Sequence, residues 1–286
     1  MYHKYYNFTE PPFNLTPNAK YFFSSTRHTE ALSTLIYAIE QRKGFVVITG
    51  DIGSGKTTVC RTLLNKLDRR THTALITNSH LSSKDLLMTI LEELDVEYKP
   101  GSKAKLLSQL NEYLIEQLRR DNNVVLIIDE AQNLTPGLLE EVRMLSNLET
   151  EDEKLIQIIF LGQPELKKKL SMPRLEQLRQ RVAVYFHLSP LDEEDVCKYI
   201  KHRLRIASDS TREYFTPAAL KAVCQFSRGV PRIVNQICDS ALLTGFVNEK
   251  KIIDVDTIEE VINESPLVQI SGSRHRKEED EIPDRI

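Results

Sequence analysis

Tryptophan is absent from the 286 residues, and cysteine is nearly so, with Cys60, Cys197, Cys224 and Cys238 as the full set. These four form no C-x-x-C pair and share no zinc-type spacing with histidine. A disulfide framework and a cysteine-based zinc site are therefore excluded as organising principles, and reduced thiols are expected. No apolar run reaches the ~18 residues that a membrane span requires. The opening MYHKYYNFTEPPF lacks the long apolar region of a signal peptide, so a cytoplasmic location is expected. An excess of one charge is missing too. The net charge of −3 gives no global pull toward nucleic acid or an anionic membrane, and such binding would have to come from local patches. What remains is ordinary: 41% apolar and 28% charged residues, enough for one large domain or two modest ones.

Glycine is also scarce, yet three of the ten fall between residues 50 and 55. They lie in GFVVITGDIGSGKTTVC, Gly44 to Cys60, where an apolar run breaks into glycines and then into a lysine and two threonines. A tight strand-to-helix turn would by itself call for glycine at positive φ. The spacing of Gly50, Gly55, Lys56 and Thr57 fits G-x-x-x-x-G-K-[ST], in which inward backbone N–H groups cradle a polyphosphate. The following helix would add the positive end of its dipole, Lys56 a mobile cation, and Thr57 a hydroxyl for Mg²⁺. Gly50, Asp51, Ile52, Gly53, Ser54, Gly55, Lys56, Thr57 and Thr58 are the candidate phosphate-binding residues.

Along the chain, residues 1–26 are rich in aromatics, proline and asparagine, and an extended strap without regular elements is expected. Residues 27–190 alternate strands (around 45–49, 73–77, 124–128, 155–162 and 182–188) with amphipathic helices. That is the pattern of an α/β domain whose parallel sheet is covered on both faces. From 191 to 264 the strands stop and helices follow one another through short polar joints, which predicts a small all-α domain. The stretch 265–286, SPLVQISGSRHRKEEDEIPDRI, ends in charged residues, and a disordered tail is expected there.

A phosphate cradle needs a partner that holds the metal and activates water. VVLIIDE supplies Asp129 and Glu130 at the carboxyl end of an apolar strand, where ligands of open α/β sheets sit. Asp129 is the candidate for the Mg²⁺ shell and Glu130 the candidate base. The pair could instead cap the helix that follows. Gln163, closing FLGQ, could position the water or cap the helix PELKKKL. Arg179 and Arg181, ahead of the last strand, could be surface residues or could complete a neighbour's site. Arg232 in GVPRIVN stands at the first turn of a helix, from which it could reach a γ-phosphate.

FTEPPFNLTPNAKYFFSSTRHTEAL, GDIGSGKTT, LIIDEAQNL, FLGQPEL, LRQRV and GVPRIVN occur in an order that resembles AAA+ ATPases of the ExeA/GspA (general secretion pathway protein A) type. More distantly, the chain is similar to transposition ATPases of the TnsC/TniB kind. The resemblance spans roughly residues 1–264. It implies a P-loop AAA+ core followed by a helical lid, with ATP and Mg²⁺ as cofactors. In that resemblance Lys56 and Thr57 are Walker A residues, Asp129 and Glu130 Walker B, Gln163 sensor 1, Arg181 (or Arg179) the arginine finger and Arg232 sensor 2. ExeA-type proteins usually continue into a membrane span and a peptidoglycan-binding domain. Neither is found in these residues, so a free relative or an ATPase portion is expected.

Three functions are compatible with this reading. One is an oligomeric ATPase, ring or filament, that drives or times assembly of a secretion, pilus or export apparatus. Another is a regulator of transposition that oligomerises on double-stranded DNA. The third is a slow nucleotide switch. DNA binding would draw on the basic runs KKK at 167–169, Arg174 and KHRLR at 201–205, each of which also reads as a solvated helical face.

Overall fold

The computed structural model describes residues 1–78, 81–150, 153–208 and 212–264. The expected tail at 265–286 lies outside the described residues. The chain divides into two compact units. One comprises Thr26–Ile52 and Lys56–Ser189; the other comprises Met1–Ser25, Gly53–Gly55 and the chain from Pro190 onward.

The first unit is built on a five-stranded sheet of order β2-β3-β4-β1-β5. The strands are β1 (Phe45–Gly50), β2 (Thr71–Ile76), β3 (Asn123–Ile128), β4 (Gln157–Gly162) and β5 (Val182–Leu188). Every pairing is parallel, with Val46 opposite Ile159 and Val125 opposite Gln157. β1 and β4 are buried along their whole length, and β3 along all but its first residue. Runs rich in Val, Ile, Leu and Phe suit such positions, because a central parallel strand is covered on both faces. Helices return the chain between strands: α2 (Thr26–Glu40), α3 (Lys56–Leu64), α4 (Ser83–Glu93), α5 (Lys103–Arg119), α6 (Pro136–Leu145), α7 (Pro164–Leu170) and α8 (Glu176–Gln180). α5 buries Leu106, Leu110 and Leu114, one apolar residue per turn, and starts at Ser102, whose hydroxyl accepts from the Lys105 N–H. α4 begins with a reciprocal capping box between Ser82 and Asp85.

Coverage of the sheet is incomplete at one edge. α2 packs against β5, but Ala183, Tyr185 and His187 alternate with covered neighbours and remain exposed. Helices flank the parallel sheet as expected, and the residues left open lie on β5, its edge strand. Tyr185 and His187 turn their polar atoms to Thr49, whose hydroxyl lies 2.7 Å from the Tyr185 hydroxyl and 3.0 Å from His187 Nδ1.

The second unit is helical: α9 (Glu193–Ser208), α10 (Pro217–Ser227), α11 (Pro231–Val247) and α12 (Val255–Glu264) surround one apolar core. Thr216 caps α10 through the Ala219 N–H, with Pro217 at the first helical position, where its missing N–H is harmless. Residues 1–25 are not uniformly extended, since Tyr2–Tyr5 forms a helical turn (α1) and Ala19–Tyr21 a 3₁₀ turn. Tyr6, Phe8 and Phe13 are buried in the helical core, each worth about 1.5–3 kcal/mol of apolar burial. Aromatic anchoring outweighs the strap-like composition, and the chain curls where rings must dock. Arg203 of α9 holds this segment. Its guanidinium donates to Pro12 O (2.6 Å), Asn14 O (3.1 Å) and the Tyr199 hydroxyl (2.8 Å), and it lies 4.6 Å from the Tyr21 ring centroid.

Candidate active site

Because the sheet is parallel, β1, β3 and β4 present their carboxyl ends on one edge, at Gly50, Ile128 and Gly162. β1 runs into the loop 51–55, and α3 begins at Lys56. Gly53 (φ +81°) and Gly55 (φ +103°) take left-handed conformations that L side chains rarely adopt, which is why the loop needs them. The Lys56 side chain is only 5% exposed. Its ammonium turns back onto the loop and donates to Gly50 O (2.7 Å) and Asp51 O (2.9 Å). Burial lowers its pKa, opposed by the charges of Glu130, Asp129, Asp51 and Glu165. A buried ammonium held by neutral carbonyls can exchange them for anionic oxygens at a net gain.

The acidic pair lies beside it. The Asp129 N–H donates to Ile76 O (2.9 Å), continuing the β2–β3 ladder by one residue. Asp129 Oδ2 accepts from the Thr57 hydroxyl (3.0 Å), and Oδ1 accepts from the Glu130 N–H (2.9 Å). Glu130 itself has φ 50° and ψ 38°, a left-handed conformation unusual outside glycine. Its Oε2 accepts from Gln163 Nε2 (2.9 Å) and from Gln132 Nε2 (2.5 Å). The capping alternatives fall away on geometry. α6 is capped by Thr135, with its hydroxyl accepting from the Leu138 N–H, while Gln163 precedes α7 without a side-chain cap bond.

Other candidates sit as follows. Within the helical unit, the Arg232 N–H donates to Gly53 O (3.3 Å), and a Cβ on Gly53 would meet Arg232 Cβ at 2.5 Å. The turn before Arg232 depends on Gly229, where a Cβ would fall 1.9 Å from Leu191 O. Ile52 is exposed, Ser54 is buried, and the Thr58 carbonyl accepts from the Thr62 hydroxyl (2.8 Å). Arg181 is half-buried and donates to Ser146 Oγ (2.7 Å). Arg179 is exposed, reaching Ser171 O at 3.5 Å and Glu176 at 4.0 Å. Neither arginine is brought to Lys56, Asp129 or Glu130 by a hydrogen bond among the described residues.

Two residues of this network carried no assignment to the site from sequence: Gln132, and Lys169, which was placed only in the basic run 167–169. Lys169 donates to Gln132 O (2.5 Å) and Leu134 O (2.8 Å). The sequence signal for Gln132 was its place inside LIIDEAQNL, two residues beyond the candidate base.

The donor set fits a magnesium-bound polyphosphate. Mg²⁺ takes hard oxygens, usually one or two from protein and the rest from phosphate and water, and the Thr57 hydroxyl with the Asp129 carboxylate supplies such a pair. Among the described residues no cluster of three His, Cys, Asp or Glu forms an all-protein metal site.

A family model described as an AAA domain matches residues 39–170. General secretion pathway protein A of Aeromonas hydrophila is 43% identical over 247 residues, covering 86% of this chain and 45% of that protein. The chain thus spans about half the length of the curated relative it matches. Among solved structures, the Aeropyrum pernix ORC2 protein in its ADPNP-ADP complexes aligns with a TM-score of 0.66 at 14% identity, over 90% of this chain and 72% of that one. The Thermotoga maritima RuvB Holliday junction branch migration motor aligns with a TM-score of 0.58 at 20% identity, over 85% and 70%. At such identities the structural likeness is one of fold.

Proposed function

This chain is a P-loop AAA+ protein resembling the ExeA/GspA type, and from that premise we propose that it hydrolyses ATP with Mg²⁺ to drive or time assembly of a secretion, pilus or export apparatus. The observation that carries the reading is the convergence of Lys56, the Thr57–Asp129 pair and the Glu130–Gln163 pair at adjacent strand ends. Residues 50–58 would hold the phosphates, Thr57 and Asp129 the metal, and Glu130 would take a proton from the attacking water that Gln163 helps to place. Bound Mg-ATP supplies the phosphoryl group and the metal charge that neutralises it. Arg232, whose N–H donates to Gly53 O of the glycine loop, would respond to the γ-phosphate. The nucleotide site would face the cytoplasm, where ATP is available. No helix among the described residues is long and apolar enough to cross a membrane.

The transposition alternative draws on fewer basic side chains than its runs suggested. Lys169 is engaged by two carbonyls and Arg203 is buried, which leaves Lys167, Lys168, Arg174, Lys201 and Arg205 at the surface. We therefore favour the secretion-type reading.

Lys56→Ala is expected to weaken ATP binding about 10²-fold, the scale of one or two charged hydrogen bonds. Glu130→Gln is expected to keep nucleotide and lose about 10²–10⁴-fold in turnover. Fluorescent-nucleotide titration and phosphate release measure the two effects. Full turnover in Glu130→Gln would assign the base elsewhere. In this reading the active unit is a homo-oligomer, with Arg181 or Arg179 supplied from a neighbour, so activity per subunit rises with protein concentration. Mixing Arg181→Ala with Glu130→Gln regains activity, because some interfaces then pair an intact base with an intact arginine. Flat activity on dilution and a dead mixture would instead make the chain a monomeric nucleotide switch.

A further inference from the structure

The turn after β3 carries a residue that phosphate binding does not require. Gln132 uses both ends of its amide: Nε2 donates to Glu130 Oε2 (2.5 Å) and Oε1 accepts the Gln163 N–H (2.9 Å). Gln163 Nε2 donates to the same Glu130 oxygen (2.9 Å). Two amide donors thus meet on Oε2, while among the described residues no donor meets Oε1. A free glutamate presents either oxygen as its last bond rotates, but here that rotation is removed.

The backbone beneath is fixed as well. Glu130 is left-handed, and Lys169 holds the Gln132 and Leu134 carbonyls. Gly162 keeps the end of β4 bare where the amide passes. A Cβ there would lie 3.0 Å from Gln132 Oε1 and 2.8 Å from Leu166 Cδ2. All of these residues belong to the sheet unit.

We propose that Gln132 is a positioning residue that commits Glu130 Oε2 to the amides and leaves Oε1 to accept the proton of the attacking water. An oxygen already accepting two hydrogen bonds is the weaker base, so the clamp also decides which lone pair works. The same amide ties that choice to the end of β4 through Gln163. The inference rests on the reading of Glu130 as the base.

The test compares Gln132→Ala, Gln132→Glu and Gly162→Ala with the wild-type chain. Measured are kcat, affinity for a fluorescent ADP analogue, melting temperature and the nucleotide retained on the protein after rapid mixing with Mg-ATP. Gln132→Ala should lower kcat about 10–100-fold, the scale of one charge-assisted hydrogen bond. Gln132→Glu still accepts from Gln163 but puts a carboxylate where Glu130 had a donor, and should fall further. Gly162→Ala removes no hydrogen-bonding atom but displaces the amide and the buried Leu166 side chain, and should cost about threefold to tenfold. In all three variants affinity stays near wild type and the retained nucleotide shifts from ADP toward ATP; melting temperature stays near wild type in the two Gln132 variants and falls in Gly162→Ala, where Leu166 must also move. Wild-type kcat in Gln132→Ala would overturn the proposal. So would a fall in kcat matched by equal losses of affinity and melting temperature, which marks a merely structural residue. If the wild-type chain binds ATP and retains it unhydrolysed, the reading of the site as an ATPase fails first and takes this inference with it. That pattern differs from the others, because wild type and variants then look alike.

Discussion

Lys56 in the sheet unit and Arg203 in the helical unit are each 5% exposed, and each donates to two main-chain carbonyls. Among the described residues neither forms an ion pair, so both are charges buried against neutral partners. Their surroundings differ. Arg203 is planar and permanently charged, and it lies over the Tyr21, Tyr199 and Phe13 rings while its third bond goes to the Tyr199 hydroxyl. That hydroxyl in turn donates to Asn235 Oδ1 (2.9 Å). Among the described residues no ring packs against Lys56. It is a compact, strongly hydrated charge on a flexible stem, desolvated beside the fields of Glu130 and Asp129. One cation is pinned by three hydrogen bonds and by ring packing, and holds a fold together. The other is under-solvated and ready to change partners. Burial alone does not make a charge structural or functional; the number and rigidity of its partners do.

Arg203→Ala should have the largest effect on stability in that comparison. It strands the Pro12 and Asn14 carbonyls, at about 1–3 kcal/mol each, so urea denaturation should show a loss of about 3 kcal/mol or more. Arg203→Lys should recover little, since an ammonium cannot form the fork or stack on Tyr21. Full recovery by lysine would mean that charge, not shape, holds residues 1–25 in place.

Lys56→Met should do the opposite in the absence of nucleotide: it frees the Gly50 and Asp51 carbonyls but removes a desolvated charge, for a net gain at neutral pH of at most about 1 kcal/mol. The sign follows from the lowered pKa. Between the folded and unfolded pKa values the unfolded chain binds more protons, so the wild-type chain gains stability as pH rises through that window. The advantage of Lys56→Met should therefore shrink toward pH ~10.4, the ordinary lysine value. A variant less stable than wild type at every pH would place Lys56 with Arg203 as a structural cation.

The smallest effect is expected from an exposed pair. Asp254 is held down to about 2 by Lys250 and by the Thr257 hydroxyl and N–H. Its pKa is depressed, so its contribution is present above the ordinary aspartate range and is lost as pH falls toward about 2. Because the side chain is 39% exposed, solvent screens the pair, and Asp254→Ala should cost only about 1 kcal/mol, mostly as a lost helix cap. A loss as large as that of Arg203→Ala would show that exposure is the wrong axis for the comparison.

Much of the site was legible because its signals are local. Lys56 and Thr57 follow the glycines at fixed spacing, and Asp129 and Glu130 end an apolar strand, so a few consecutive residues carry the information. Basic runs misled for the same reason. In KKK and KHRLR, the characters of Lys169 and Arg203 depend on carbonyls 35 and 37, or 189 and 191, residues away, which no local pattern encodes. The strap composition likewise hid the helical turn at Tyr2–Tyr5, since ring docking, not backbone preference, sets its path.

By itself the sequence determined which segments beyond residue 26 become strands and helices, because burial periodicity and capping act within one or two turns of chain. It also determined that a glycine loop stands directly before a helix N-terminus, the spacing that suits a phosphate cradle. The tertiary structure alone decided the strand order β2-β3-β4-β1-β5, which sets β4 between β1 and β3. That order puts Gln163 on the Glu130 carboxylate and lets Gln132 join them, while packing within the helical unit buries Arg203 among rings. Such contacts form only after the sheet and the helical core have closed, when long-range packing chooses the partner of each polar atom.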